Sequence, residues 1–219
     1  MKITQVEPQK KNPKRFNIFL DGEFAFGVDE DLVVNRRLVV GKVISPEDLE
    51  KILFEAEVGK LMERMYRWFA LRQHSEKEVR DYFKIKNLEA KVKEKEEISE
   101  LTIDALVETL KRKGMVNDLE FAKAWVQARR KSKQKGIRAI KAELYQKGID
   151  KEIIEEVISE QLRVNSEEEL AKQALGKKLK YWKNLDPKKL YQKSIEFLLR
   201  KGFDYEIARK IISDQLKNT

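Results

Sequence analysis

The sequence predicts a mainly α-helical protein: three tandem three-helix units, helix-turn-helix-like, in an elongated array behind a small β-rich extension. Three observations carry this. The block KGIDKEIIEEVISEQL, from Lys147 to Leu162, returns as KGFDYEIARKIISDQL, from Lys201 to Leu216, at a constant offset of 54 residues. Such self-similarity means that a module too small to hide much surface alone recurs and stacks. Beyond residue 45 apolar residues recur at helical spacing between helix caps, whereas before it they alternate with period two.

The extension spans residues 1–45. Phe16, Ile18 and Leu20 alternate with polar residues, Asp21-Gly22 follows, and Phe24, Phe26 and Val28 alternate again. Two such runs joined by Asp-Gly read as a β-hairpin with a primed turn. KITQV near the start adds a third strand and LVVGKVI, residues 38–44, a further short one. Gly22 and Gly27 have the spacing of a phosphate loop. Val28 stands where that loop needs lysine, so the hairpin reading holds.

Residues 46–115 form a connecting helix and the first unit. Ser45-Pro46 is a cap followed by proline at the first helical position, and the helix runs toward Gln73 with Gly59 as a break. The first unit then takes helices over 58–73, 75–86 and 98–113. Ser75-Glu76-Lys77-Glu78 is a capping box, and Ile103, Leu106, Val107 and Leu110 make an apolar stripe. Residues 89–100 are mixed in charge and read as a solvated linker.

The second unit, 116–164, takes helices over 117–130, 136–147 and 150–163, and the third, 165–219, over 166–182, 187–201 and 204–217. Asn117, Ser166 and Asp186 are caps. The stripe Phe121, Ala124, Trp125 and Ala128 faces one core. Ile154, Val157, Ile158 and Leu162 form a second stripe, repeated as Ala208, Ile211, Ile212 and Leu216. Phe121, Trp125, Ile140 and Leu144 are expected in the core. In both copies of the repeated block, Gly148 or Gly202 supplies the left-handed residue past one helix, and Asp150 or Asp204 caps the next.

Composition narrows the function. The 219 residues carry no cysteine, which excludes disulfides and thiolate chemistry, and a net charge of +9, which favours a polyanionic partner. No apolar run approaches the ~18 residues of a membrane span. The N-terminus lacks the apolar region of a secretory signal, so a cytoplasmic protein without membrane contact is expected. Charge concentrates in two places. Residues 129–147 hold eight basic side chains against Glu143 alone; residues 172–193, Lys183 included, hold eight against Asp186 alone. They fall at corresponding inter-helix regions of units two and three, where lysine and arginine would contact phosphates without sequence preference. Tyr181 and Trp182 close a helix in the second region and are read as a packed helix end. A wet helix face is the plain alternative for either run.

No catalytic constellation emerges. The single His74 precedes a capping serine and reads as a surface or capping residue. Asp81 with Glu89-Ala90-Lys91 only loosely matches a nuclease pattern, within a segment already rich in charge. No nucleophile elbow, phosphate loop or zinc spacing is present, so no enzyme, cofactor or metal is expected.

Taken in order, three stretches resemble one family. Ala70 to Val79, ALRQHSEKEV, is similar to an Arg-x-x-Ser-x-x-Glu-Leu motif. Asn117 to Arg129, NDLEFAKAWVQAR, resembles an Asp-Asp-x-x-Phe-Ala-x-x-Tyr-Val-x-x-Arg signature. Gly136 to Ile149, GIRAIKAELYQKGI, matches Gly-x-x-x-Ile-x-x-Glu-Leu-x-x-Lys-Gly-Ile. These are motifs of the RecX family, regulators of the bacterial recombinase RecA, and the resemblance covers about residues 58–217. Asn117 replaces the usual aspartate, and the first unit has Lys86-Asn87 where Lys-Gly would stand.

The resemblance implies a non-enzymatic modulator, monomeric, lying in the groove of the RecA–single-stranded DNA filament. It would suppress ATP hydrolysis, strand exchange and coprotease activity within recombination, DNA repair and the SOS response, with duplex DNA as a further partner. The expected contacts are Arg129, Arg130, Lys133, Lys135, Arg138 and Lys141, with Lys177, Lys178 and Lys180 second. Two alternatives stay open: a helical-repeat nucleic-acid binder that acts without RecA, and a protein-interaction scaffold whose basic stretches ignore DNA.

Overall fold

The fold is that of a computed structural model, which describes residues 1–164, 166–182 and 185–217. It divides into two compact units: residues 1–73 with 79–116, and residues 74–78 with 117–219.

The first unit opens with an antiparallel sheet of β1 (Ile3–Gln9), β2 (Asn12–Leu20) and β3 (Glu23–Asp29), in that order. The β2–β3 turn is Asp21-Gly22, both at positive φ (48° and 95°), and Leu20 faces Glu23 across it. Two left-handed residues make the twist of the turn match that of the strands, as the Asp-Gly pair predicts. Ile3, Ile18, Leu20, Phe26 and Val28 turn inward from the sheet.

The expected strand over 38–44 is not formed. Only Val43 bridges Lys2, and Gly41 at φ 92° bends the chain so that Leu38 and Ile44 enter the core while Val39 and Val40 stay exposed. A short helix precedes it instead, α1 (Glu30–Asn35), capped by Asp29 through the Leu32 N–H at 2.8 Å.

α2 (Pro46–Phe69) begins at the Ser45 cap and runs unbroken through Gly59. The expected break at Gly59, with a helix restarting at 58, is therefore corrected to one helix. The reason lies in packing: a Cβ on Gly59 would fall on the Asp29 carboxylate. The glycine lets β3 approach α2, and a single mid-helix glycine costs only about 1 kcal/mol. Ile52 and Ala56 of α2 join the sheet's core. Leu61, Met62 and Met65 join a second core with Val79 and Phe83 of α3 (Glu76–Val92) and Ile103, Leu106, Val107 and Leu110 of α4 (Glu100–Arg112). α3 is longer than expected, taking in the first residues of the proposed linker 89–100. Asn87 pins the return of the chain, holding both the N–H and the C=O of Ile98 at 2.9 and 2.7 Å.

The second unit contains α5 (Asp118–Lys133), α6 (Ile137–Gln146), α7 (Lys151–Val164), α8 (Glu167–Leu179), α9 (Pro187–Arg200) and α10 (Tyr205–Lys217). One core joins Phe121, Ala122, Val126, Ile140, Leu144, Ile154, Val157 and Ile158; another joins Ala171, Ala174, Leu175, Leu198, Phe203, Ala208, Ile211 and Ile212. The stripe expected on α5 is rotated by about one residue. Ala122 and Val126 are buried, Ala124 and Ala128 are exposed, and Trp125 is half-buried at the rim. Glu143 and Arg129 hold Trp125 at that rim. Leu162 is exposed at 46%. The side chain of Leu216 lies outside the described residues.

Gly148 and Gly202 are left-handed (φ 75° and 88°), as the repeated block predicts. Both turns also serve as joints, which the sequence does not announce. Ser75 donates its hydroxyl to the Lys147 carbonyl at 2.8 Å, and a Cβ on Gly148 would overlap the Lys77 side chain. At the other copy, the N–H groups of Gly136 and Arg138 donate to the carbonyls of Lys201 (2.9 Å) and Gly202 (3.2 Å), and a Cβ on Gly136 or Gly202 would collide with backbone. In each case the start of one helix seats on a Lys-Gly turn. His74, expected as a surface or capping residue, is buried beside the capping Ser75, its Nδ1 3.1 Å from the Glu78 carboxylate.

Candidate nucleic-acid interface

Eight of the nine basic residues singled out from the sequence fall into three groups in the folded chain; Lys180 joins none of them. Arg130 points inward. It is 4% exposed and its Nη1 meets Glu167 Oε1 at 2.6 Å. Glu167 begins α8, and its other oxygen accepts the Ile137 N–H at 3.3 Å. A carboxylate in a first helical turn is also favoured by the helix dipole. Arg130 thus ties α5, α6 and α8 together, and its charge is spent inside the fold.

Arg129, Arg138 and Lys141 lie nearer the surface, each beside an acid. Arg138 reaches Asp204 at 3.4 Å and Lys141 reaches Glu155 at 2.7 Å. Arg129 lies on the Trp125 ring, 4.1 Å from its centroid, and its Nε donates to Glu143 at 2.7 Å. Glu143 also accepts the Trp125 indole N–H at 2.8 Å and a Lys135 ammonium proton. Burial pushes the Glu143 carboxyl upward. The hydrogen bonds from Lys135, Arg129 and Trp125 outweigh that and hold it below the usual carboxylate range.

The sign follows directly. A carboxyl whose pKa falls on folding adds stability above its unfolded value of about 4.3, and this is lost as pH drops through the folded value. Glu143→Gln is therefore expected to lower stability at pH 7 by about 1–2 kcal/mol, the scale of charge-assisted hydrogen bonds. The gap between variant and wild type should close toward pH 3. Melting curves at both pH values check this, and an unchanged gap would refute it.

The third group converges. Lys133 ends α5, Lys135 follows it, and Lys177 and Lys178 occupy the last turn of α8. All four act on Lys201, at the end of α9. Its pKa is driven down by burial first and then by the charges of Lys177, Lys135, Lys178 and Lys133. Lys201 Nζ donates to the backbone carbonyl of Lys133 and, at 3.5 Å, to that of Gln134. Of the five cations, Lys135 alone has a carboxylate within ion-pair distance among the described residues. The two basic segments, far apart in sequence, thus meet in one cluster whose repulsion Glu143 offsets only at Lys135. Such a cluster gains stability from any anion that enters it.

In the sequence Lys201 stands before Gly202 and signals only a helix end. Its copy, Lys147, is neutralised by Glu78, so the repeat by itself does not mark which lysine is unpaired. Lys180 is exposed on the α8 cap and is not among the charges acting on Lys201. Lys183 lies outside the described residues. The helix end expected at Tyr181 and Trp182 is half right. Trp182 packs edge-on against Phe197 with centroids 5.8 Å apart, whereas Tyr181 is 83% exposed.

Among the described residues no group of histidine and carboxylate side chains could hold a metal, and no helix is long and apolar enough to cross a membrane. The fold and the cluster define a tandem helical-module protein with a small N-terminal sheet and a cationic face shared by two modules.

Residues 1–45 match the family model described as the regulatory protein RecX N-terminal domain; residues 117–158 match the RecX second three-helix domain, and residues 166–212 the third. A regulatory protein RecX of Listeria welshimeri is 35% identical over 210 residues, covering 95% of this chain and 74% of that protein. One of Bacillus velezensis is 35% identical over 205 residues, covering 94% and 74%. A crystal structure of regulatory protein RecX matches with a TM-score of 0.72 at 26% identity, covering 96% of this chain and 98% of that one. RecX from Lactobacillus salivarius shares the fold, with a TM-score of 0.57 at 24% identity over 72% of this chain and 96% of that one. The chain belongs to the RecX family of regulatory proteins.

Proposed function

We propose that the protein is a non-enzymatic regulator of the recombinase RecA. It binds the RecA–single-stranded DNA filament in its groove and inhibits the filament's ATP hydrolysis, strand exchange and coprotease activity. The observation that carries the DNA part is the lysine cluster of Lys133, Lys135, Lys177, Lys178 and Lys201, which draws on two modules and, among the described residues, has one carboxylate partner for five cations. Phosphates supply the missing negative charge, and a charge-only contact suits a partner whose base sequence varies along its length. Membership of the RecX family supports RecA as the protein partner. Arg129, Arg138 and Lys141, all in the second module, are secondary contacts that would exchange their own acids for phosphates. Arg130 has a structural part through Glu167.

The test is the single-stranded-DNA-dependent ATPase of the host RecA, followed as the protein is titrated in at two salt concentrations. Loss of hydrolysis well below one protein per recombinase is the expected result. Salt-sensitive DNA binding that leaves the ATPase unchanged would replace this reading with that of a general nucleic-acid binder.

A further inference from the structure

Beside the lysine cluster, linked to it through Gln134, lies a pocket of different chemistry. Gln134, whose carbonyl accepts from Lys201, also lines a cavity of about 370 Å³ together with Gln127 of α5, Gln161 of α7, and Glu169, Leu170 and Gln173 of α8. Gln173 and Lys177 lie four residues apart on α8, so pocket and cluster share one helix face. The pocket has the size of a small-ligand site.

Its charge differs from that of its neighbour. Of the two cations at its wall, Arg130 is neutralised by Glu167, and Lys131 shares the wall with one carboxylate, Glu169. A phosphate therefore gains more in the lysine cluster than here. What remains is a set of four carboxamides, each with donors and acceptors, none with a side-chain partner among the described residues. Carboxamides pair with base edges in two-point fashion, and a carboxylate accepts from an exocyclic amine. Leu170, half-buried in the same wall, offers an apolar surface to a ring face.

We propose that this pocket takes an unstacked nucleobase of the single strand whose phosphates the lysine cluster holds. The inference rests on the DNA contact proposed above and adds to it a reason for preferring single strands. In a duplex the base edges are already paired and stacked, and extracting one opposes binding.

The experiment compares two fluorescently labelled strands of equal length and charge, one with natural bases and one made of abasic deoxyribose phosphates, by anisotropy with the full chain. The wild type is expected to bind the natural strand about tenfold tighter, the scale of two added hydrogen bonds. The Gln161→Ala/Gln173→Ala variant is expected to bind both strands alike, at the abasic level, with its salt dependence and melting temperature unchanged. Equal salt-sensitive binding of the two strands by the wild type overturns the pocket and leaves the cluster standing. A preference that survives in the variant likewise overturns it. Binding of neither strand overturns both the pocket and the DNA contact.

Discussion

Reversing three charges, Lys133→Glu, Lys177→Glu and Lys201→Glu, is expected to abolish measurable single-strand binding at physiological salt while leaving the fold intact. The three side chains come from α5, α8 and the end of α9, and each stands among like charges without a carboxylate partner among the described residues. Removing them breaks no ion pair; the folded state loses the Lys201 hydrogen bonds to the Lys133 and Gln134 carbonyls, about 1–3 kcal/mol, and gains relief from repulsion, and circular dichroism of the variant checks that it folds. Binding behaves oppositely. If all five lysines reach phosphates, the logarithm of affinity should fall with the logarithm of salt at a slope of about −3.5 for a single strand. Neutralising three (Lys→Gln) should reduce that slope by about 2, and reversal adds repulsion to the loss. The control is Lys147→Gln, the repeat-equivalent position, whose charge is already held by Glu78. Salt titrations of the variants decide the matter: equal slopes for the cluster variants and the control would show that the phosphates lie elsewhere.

Gly202→Ala is expected to destabilise the second unit by about 3 kcal/mol or more, a backbone-strain and overpacking effect combined. Gly202 sits at φ 88°, and an added Cβ would overlap the backbone and Cβ of Ala139, which no rotamer change can relieve. Gly114→Ala separates the two contributions. That residue is also left-handed, at φ 68°, but open space surrounds its missing Cβ, so conformational strain of about 1–2 kcal/mol is all that should appear. Denaturant titration of the two variants gives the difference. Equal losses would mean that the Gly136–Ala139 segment can withdraw from the turn without penalty. Because the same joint places Lys133 and Lys135 against Lys201, any folded Gly202→Ala protein should also bind DNA more weakly.

Much of the fold was legible in the residues. Asp21-Gly22 announced the hairpin, and Ser45, Asn117, Ser166 and Asp186 announced helix starts, because a turn or a cap is a local agreement between one side chain and nearby backbone. Ile103, Leu106, Val107 and Leu110 were readable for the same reason: helical periodicity alone decides which face they share. The structure departs from local pattern where a distant group intervenes. Gly59 stays inside its helix, where the Asp29 carboxylate lies in the space of its missing side chain, and His74 is buried with Ser75. The α5 stripe turned because Trp125 is drawn to the rim by Glu143 and Arg129.

The candidate site shows the same division. Composition and spacing located two basic segments, and four of their lysines do meet. Which charges stay unpaired depended on acids from elsewhere in the chain: Glu167 withdraws Arg130, Glu143 engages Arg129 and Lys135, and Glu78 neutralises Lys147. From its sequence alone the protein was determined to be a set of helical modules with a β-rich start, excess positive charge and a family likeness, all consequences of short-range pattern. Tertiary structure alone decided that a Lys-Gly turn is a joint, that Lys201 is the centre of the cluster and that a neutral pocket adjoins it. Each of these depends on groups brought together from distant parts of the chain, and Coulomb and contact energies act over distances in space, not along the sequence.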